Sequence, residues 1–177
     1  MHTIETTTVI AASPETVWET LVDFDAYTEW NPFVTAAAGV PAEGERLRIR
    51  IAPPGGRAMT FRPTVTAAVP GERLEWLGHL GVRGLFDGRH EFQLTDLGDG
   101  RTGLVHRETF GGLLVGLLLN EQRIRSGFRA MNAALKARAE RTGVTSHGTG
   151  GEWNSRSDGA PDAASRRVTR AEGKGRD

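Results

Sequence analysis

The sequence predicts an α+β domain in which a curved antiparallel β-sheet wraps around one long C-terminal α-helix. Two observations support this fold class: the middle of the chain alternates like a series of short strands, and an amphipathic helix follows it. A sheet with one apolar face and a helix with one apolar stripe bury both surfaces when they pack together. We expect the space between them to hold an apolar ligand cavity.

The N-terminal part of the chain predicts one strand and two short helices. β-branched residues dominate positions 6–11, which is typical of a strand. Ser13, Pro14 and Glu15 then supply an N-cap, a first-turn proline and an acid at the positive end of a helix. A second short helix is predicted over residues 24–30, because Pro32 disfavours helical backbone at the residue before it.

Turn-forming residues recur through the middle of the chain and divide it into strand-like segments. In these segments apolar and polar residues alternate, so that one face of each strand is apolar. Short strands joined in sequence by tight turns favour an antiparallel meander. The predicted strands cover residues 46–51, 59–67, 74–80, 90–94 and 102–110.

The last predicted element is a long helix that begins at Leu113 or at Asn120 and ends at Arg141. Its apolar side chains recur three or four positions apart, which is the spacing of one helix face. Beyond residue 141 the composition turns to Gly, Ser, Arg and Asp, with too few apolar residues to offset the entropy of ordering. The sequence therefore predicts a folded domain over residues 1–141 and a disordered tail over residues 142–177. The predicted apolar stripe consists of Ile124, Phe128, Met131 and Leu135.

Composition excludes several classes of function. The formal net charge is +0, which argues against a nucleic-acid partner, because phosphate neutralisation needs an excess of Lys and Arg. The chain contains no cysteine, and this excludes disulfides, thiol catalysis and Cys-based metal sites. No signal peptide is visible, and the most apolar run, residues 113–119, is far shorter than the ~20 residues of a membrane span. We therefore expect a cytoplasmic protein without a membrane span, whose oligomeric state is open.

Five segments give the chain a resemblance to a known superfamily. Their sequences are ASPETVW at 12–18, FDAYTEWNPF at 24–33, RLEW at 73–76, FDGRHEF at 86–92 and HRETFGGL at 106–113. Together with the order of elements, they make residues 3–140 similar to the helix-grip fold of birch-pollen-allergen proteins, START lipid-transfer domains and polyketide cyclases/dehydrases. The resemblance implies a curved sheet gripping the last helix and a small hydrophobic ligand, such as a lipid, polyketide or aromatic compound. It selects no single activity, because this superfold hosts many.

Three polar side chains are predicted to face the interior from neighbouring strands. Alternation places His90 on the apolar face of its strand, and places His106 and Glu108 on the apolar face of the next strand. Three interpretations stay open for this cluster: a hydrogen-bonded structural group, an anchor for the polar end of a ligand, or an acid–base pair. Burial favours a neutral carboxyl, and a neighbouring carboxylate favours a protonated imidazole, so the cluster could serve as acid and base.

The predicted ligand site combines this cluster with apolar side chains, as ligand cavities usually do. The segment 111–119 is rich in glycine and leucine, and we interpret it either as a hinged lid over the cavity or as buried first turns of the long helix. The predicted ligand-binding residues are Trp76, His90, Phe92, His106, Glu108, Phe110, Leu113, Leu117, Phe128 and Met131.

Binding of a small hydrophobic molecule is the leading functional hypothesis. An enzyme of the cyclase, dehydratase or hydrolase type that uses the same cluster is the second, and a co-chaperone-like protein-interaction module is the third. Motifs for nucleotide binding, zinc proteolysis and serine hydrolysis are absent, so no catalytic residue and no cofactor is predicted. Two histidines and a glutamate are a plausible minimum for zinc or iron, but no local spacing supports a metal site and none is predicted.

Overall fold

The computed structural model describes residues 1–147, which form two antiparallel sheets and a long C-terminal helix. The first elements are β1 (His2–Ile10), α1 (Pro14–Val22), a 3-10 helix (Phe24–Ala26) and α2 (Tyr27–Trp30). The strands that follow are β2 (Val34–Ala38), β3 (Arg48–Ile51), β4 (Met59–Phe61), β5 (Thr64–Val69), β6 (Arg73–His79), β7 (Asp87–Gly98) and β8 (Arg101–Gly111). The last elements are α3 (Val115–Leu118) and α4 (Glu121–His147).

The larger sheet has five strands in the order β1-β8-β7-β6-β5, and every neighbouring pair is antiparallel. The smaller sheet has three strands in the order β2-β3-β4. An isolated bridge between Arg46 and Thr64 connects the chain before β3 to the edge strand of the larger sheet. The predicted α+β helix-grip class is confirmed: a curved antiparallel sheet, a long C-terminal helix and two short helices after the first strand.

The predicted start of α1 is confirmed in its details. The hydroxyl of Ser13 accepts a hydrogen bond from the backbone N–H of Thr16 at 3.3 Å, and Pro14 occupies the first turn. The chain leaves α2 at Asn31, whose side-chain oxygen accepts from the backbone N–H groups of Phe33 (3.1 Å) and Val34 (2.9 Å). This buried cap fixes the turn that carries Phe33 into the interior.

The apolar stripe of α4 forms the centre of the core. Phe128, Met131 and Leu135 are 0% exposed, while Ile124 is half-buried at the edge of the core. A Cβ atom at Gly127 would lie 2.2 Å from the ring of Phe33, so the glycine permits the close approach of α4 to this ring. The stripe predicted from the spacing is confirmed.

The segment 59–67, predicted as one strand, is two strands that belong to different sheets. The chain leaves β4 after Phe61 and enters β5 at Thr64. Pro63 lies between them, and a proline has no backbone N–H to donate to a continuous strand ladder. The single-strand prediction was therefore wrong at this point, and the break separates the small sheet from the large one.

The long helix begins at the second of the two predicted starts. Asn120 accepts a hydrogen bond from the backbone N–H of Arg123 at 3.1 Å, as an N-cap does, and α4 starts at Glu121. The segment before it forms only the single turn α3, and Leu113 and Leu117 are 86% and 80% exposed. The interpretation of this segment as buried first turns of the long helix was wrong.

The helix α4 continues through His147, six residues past the predicted end at residue 141. A helix that is already formed extends by one hydrogen bond for each added residue, so its end is weakly marked in the sequence. The remainder of the predicted tail, 148–177, lies outside the described residues. Within residues 1–147, no helix has the length and apolar character to cross a bilayer.

Candidate functional site

A cavity of about 250 Å³ lies between the two sheets and the beginning of α4. Its apolar wall is contributed by the small sheet, β6, β8 and the loop before β7, and its polar groups are few. Apolar side chains of this wall include Phe33, Ile49, Ile51, Phe61, Trp76, Phe86, Phe110 and Ile124. Its polar and charged side chains are Arg57, His79, Glu108, Asn120 and Arg123.

Two glycines in adjacent strands keep this region open. Gly78 and Gly88 face each other across β6 and β7, and both line the cavity. A Cβ atom at Gly88 would lie 2.6 Å from Oε1 of Glu108. The carboxylate therefore occupies the space that a side chain at this position would fill. At Gly78 the nearest atom to such a Cβ is 3.6 Å away, so that position has room.

A chain of hydrogen bonds leads from the cavity into the core. Glu108 Oε2 lies 3.3 Å from His90 Nδ1, and His90 Nε2 lies 2.8 Å from His106 Nε2. His106 Nδ1 lies 2.7 Å from Asn132 Oδ1, and Asn132 Nδ2 donates to Thr6 Oγ1 at 3.0 Å. We call these five side chains the buried network. Strand pairing builds its centre, because His90 lies directly opposite Glu108 across β7 and β8.

Aromatic rings hold both imidazoles of the buried network in place. The ring of Trp76 stacks on His90 with centroids 4.8 Å apart and an interplanar angle of 4°. The ring of Phe128 stacks on His106 at 3.8 Å and 14°. Because His90 and His106 are 1% and 0% exposed, water does not compete for their ring nitrogens.

Burial sets the protonation of His106. It holds the pKa of this imidazole well below its ordinary value, and the neighbouring His90 lowers that pKa further. The hydrogen bond to Asn132 acts in the opposite direction but does not overcome burial. His106 is therefore neutral at neutral pH, with one ring nitrogen that donates and one that accepts.

Glu108 is the member of the buried network that reaches the cavity. Its side chain is 12% exposed, and Oε2 faces His90. Among the described residues, Oε1 has no hydrogen-bond partner. A carboxyl oxygen without a partner at the wall of an apolar cavity is a specific acceptor for a polar group of a bound molecule.

The predicted ligand-binding residues divide into three groups. Trp76, Glu108 and Phe110 line the cavity. A second group is buried beside it, where the side chains support the wall rather than form it. Leu113 and Leu117 are exposed and do not line it, because Leu113 precedes the single turn α3 and Leu117 lies on the outer side of that turn. The second group consists of His90, Phe92, His106, Phe128 and Met131.

Sequence reasoning did not single out Asn132 or the part of the wall that the small sheet provides. Asn132 follows Phe128 by four positions and is 2% exposed, so it is a polar residue within the apolar stripe of α4. That position was visible in the sequence as a break in the stripe. The contribution of Ile49 and Phe61 depends on how the small sheet folds over the helix, which local spacing does not encode.

The two histidines and the glutamate of the buried network have the donor atoms that zinc or iron would take. Across residues 1–147, no group of three or more His, Asp or Glu side chains is arranged to hold a metal ion. In the buried network these side chains are bonded in a row rather than around a common point.

A curved antiparallel sheet that grips a long C-terminal helix and leaves an apolar cavity between them defines the helix-grip class of proteins. The chain belongs to the family of polyketide cyclases/dehydrases and lipid transport proteins, whose model matches residues 1–140. A search of curated proteins gives no match.

Solved structures with the same fold are similar along most of the chain. A START superfamily protein from Mycobacterium smegmatis is 21% identical with a TM-score of 0.62, over 80% of this chain and 99% of that one. The Zhui aromatase/cyclase from Streptomyces sp. R1128 is 22% identical with a TM-score of 0.58, over 83% and 98%. A norcoclaurine synthase from Thalictrum flavum is 11% identical with a TM-score of 0.61, over 80% and 95%. At these identities the likeness concerns the fold.

Proposed function

We propose that the protein binds a small, mainly apolar molecule in the cavity and thereby transports or sequesters it. The observation that carries the proposal is the apolar cavity of about 250 Å³ with the unpartnered Oε1 of Glu108 at its wall. Apolar surface supplies the affinity for such a ligand, and one placed polar group orients it.

The size of the cavity favours a compact ligand. Typical small-molecule pockets enclose roughly 300–1,000 Å³, so this cavity, at about 250 Å³, lies just below that range. A molecule with one or two fused rings, or a short acyl chain, suits it better than a two-chain phospholipid. Trp76, Phe86 and Phe110 lie along the wall and favour an aromatic body through ring–ring contacts.

The family supports the same class of ligand. Its description joins polyketide cyclases/dehydrases with lipid transport, and both groups handle mainly apolar molecules. The names of the Zhui aromatase/cyclase and of norcoclaurine synthase add aromatic chemistry on the same fold, as an analogy. The cytoplasmic location and the absence of a nucleic-acid partner stay predictions from the sequence.

Isothermal titration calorimetry with naphthylmethanol tests the proposal. We expect binding with a negative heat-capacity change, because apolar surface is buried. Gly78→Leu extends a side chain into the cavity and should abolish this binding. Gly103→Leu is the matched control, since Gly103 is on β8 and its Cβ position faces Leu97 on the outer face of the sheet. Equal binding by both variants would show that the ligand does not occupy the cavity.

An enzyme acting on the same ligand is the second candidate function. The buried network favours it, because Glu108 joins the cavity to two imidazoles that could supply or remove a proton. Mass spectrometry of a hydroxylated polyketide-like ketone after incubation separates the two candidates. Recovery of the unchanged compound supports binding alone, whereas loss of one water shows a dehydratase. The third hypothesis, an interaction module, is disfavoured by an interior that is open rather than filled.

A further inference from the structure

Asn132 sets the direction of the hydrogen bonds in the buried network. Its Nδ2 donates to Thr6 Oγ1, and its Oδ1 faces Nδ1 of His106 at 2.7 Å. A carbonyl oxygen accepts hydrogen bonds and cannot donate them. His106 must therefore carry a hydrogen on Nδ1.

The position of the hydrogen on His106 also determines which histidine donates in the bond between His106 and His90. His106 is neutral and has its one hydrogen on Nδ1, so its Nε2 is an acceptor. His90 Nε2 lies 2.8 Å away and must donate to it. The second nitrogen of His90, Nδ1, faces Oε2 of Glu108.

This arrangement requires one proton between Nδ1 of His90 and Oε2 of Glu108. A bare ring nitrogen and an ionised carboxylate are both acceptors and cannot bond to each other. Either Glu108 is a neutral acid that donates to His90, or His90 is an imidazolium that donates to Glu108. In both forms the pair carries no net charge, and Oε1 of Glu108 stays an acceptor at the cavity.

Charged side chains lie at both ends of the buried network but do not bond to the pair. Arg57 and Arg123 line the cavity together with Glu108, and Glu5, Arg129 and Lys136 line a groove beside Thr6 and Asn132.

The groups packed directly against the pair are uncharged. From β6 the ring of Trp76 covers His90, and from α4 the ring of Phe128 contacts both imidazoles. Thr6 from β1 and Asn132 from α4 complete the network, and neither side chain ionises. If the amide of Asn132 were reversed, every bond in the row would reverse, and the pair would lose its proton and carry one negative charge.

We propose that Asn132 is a positioning residue that keeps one proton on the His90–Glu108 pair, and that the cavity therefore selects apolar molecules bearing a neutral hydroxyl group. The ligand class rests on the proposed function, whereas the position of the proton does not. A hydroxyl group donates to Oε1 of Glu108 at a small desolvation cost. An ammonium group loses much more hydration on entry, and a neutral pair offers it no net charge in return.

Long-range ¹⁵N–¹H NMR on the ligand-free full chain tests the position of the proton. We expect His106 to carry its hydrogen on Nδ1 in the wild type. Asn132→Asp keeps an acceptor next to this nitrogen and should retain the hydrogen there, whereas Asn132→Leu removes the acceptor and should release a mixture of tautomers. A wild-type His106 with its hydrogen on Nε2 would overturn the inference, whether or not the variants fold.

Calorimetry with three matched probes at neutral pH tests the ligand class. We expect naphthylmethanol to bind about ten-fold more tightly than naphthylmethylamine or ethylnaphthalene, because only the alcohol pairs Oε1 without bringing a charge. Preference for the cationic amine would overturn the inference and leave the proposed function intact. If none of the three binds, the proposed function and the ligand class fail together, while the NMR spectrum still decides the position of the proton.

Discussion

The interior of the molecule has two halves that the same helix connects but that are packed very differently. In the closed half, α4 lies against β1 and α1, and Ile10, Leu21 and Leu135 are each 0% exposed. In the open half, the beginning of α4 faces the small sheet across a cavity of about 250 Å³. The difference shows that the chain fills its apolar core where helix and large sheet meet directly, and leaves an apolar space where the small sheet closes the fold. The groove between β1 and α4, lined by Thr6, Asn132 and Lys136, is polar.

The buried network crosses the boundary between these halves. Glu108 lines the cavity in the open half, while His106 and Asn132 are packed in the closed half. A polar group at a cavity wall can select a ligand only if its position is fixed. Here the closed half provides that fixation, through the aromatic stacking on His106 and the hydrogen bond that His106 Nδ1 donates to Asn132 Oδ1.

The largest effect on stability is expected from removing a buried ring at the edge of the closed half. Phe128→Ala removes a ring that is fully buried against Phe33 and His106 and should lower the free energy of unfolding by about 3–5 kcal/mol. Phe110→Ala should cost clearly less, because one side of that ring already borders the cavity. Urea denaturation measures both. Equal losses would mean that the two halves are packed alike.

A smaller effect is expected from crowding the carboxylate of Glu108. Gly88→Ala places a Cβ 2.6 Å from the present position of Oε1, which is too close, so the carboxylate must move. We expect naphthylmethanol to bind about ten-fold more weakly. Gly78→Ala is the matched control, because its Cβ would have an ordinary contact at 3.6 Å. If calorimetry gives both variants the wild-type affinity for naphthylmethanol, Glu108 does not take part in ligand recognition.

Much of the closed half could be predicted from the sequence, because its signals are local. The spacing of the stripe on α4 and the cap at Ser13 depend on residues a few positions apart. The inward direction of His90, His106 and Glu108 followed from strand alternation alone, and the structure joins all three through hydrogen bonds.

The open half was harder to predict, because its wall is assembled from distant segments. The break at Pro63 creates two sheets, and only their three-dimensional arrangement brings Phe61 and Ile51 to the cavity. The exposure of Leu113 and Leu117 likewise depends on where the short turn α3 lies, since a leucine-rich segment is equally typical of a buried turn.

The last expected effect is gradual and concerns the pH dependence of the closed half. Because burial holds the pKa of His106 below its ordinary value, the unfolded chain binds more protons than the folded chain below about pH 6.5. Stability is then fully present above that pH and falls by about 1.4 kcal/mol for each pH unit below it, until the folded pKa is reached. Urea denaturation at several pH values measures this slope.

Two variants identify the group that is responsible for this pH dependence. His106→Gln should flatten the slope, since it removes the buried titrating group. His2→Gln is the control, because its imidazole pairs with Glu121 at 2.6 Å in a partly exposed ion pair, and such pairs contribute little to stability. If the free energy of unfolding depends on pH in the same way in His106→Gln, another residue is responsible for that dependence.

The most direct test of the open half as the ligand site is an NMR measurement of contacts between bound naphthylmethanol and the protein. We expect intermolecular nuclear Overhauser effects from the naphthyl ring to Trp76, Phe110 and Ile49, all of which line the cavity. The hydroxymethyl group should lie on the side of Gly88, next to Glu108 Oε1. Effects confined to the exposed Leu113 and Leu117, with none to the cavity wall, would contradict a ligand site inside the protein.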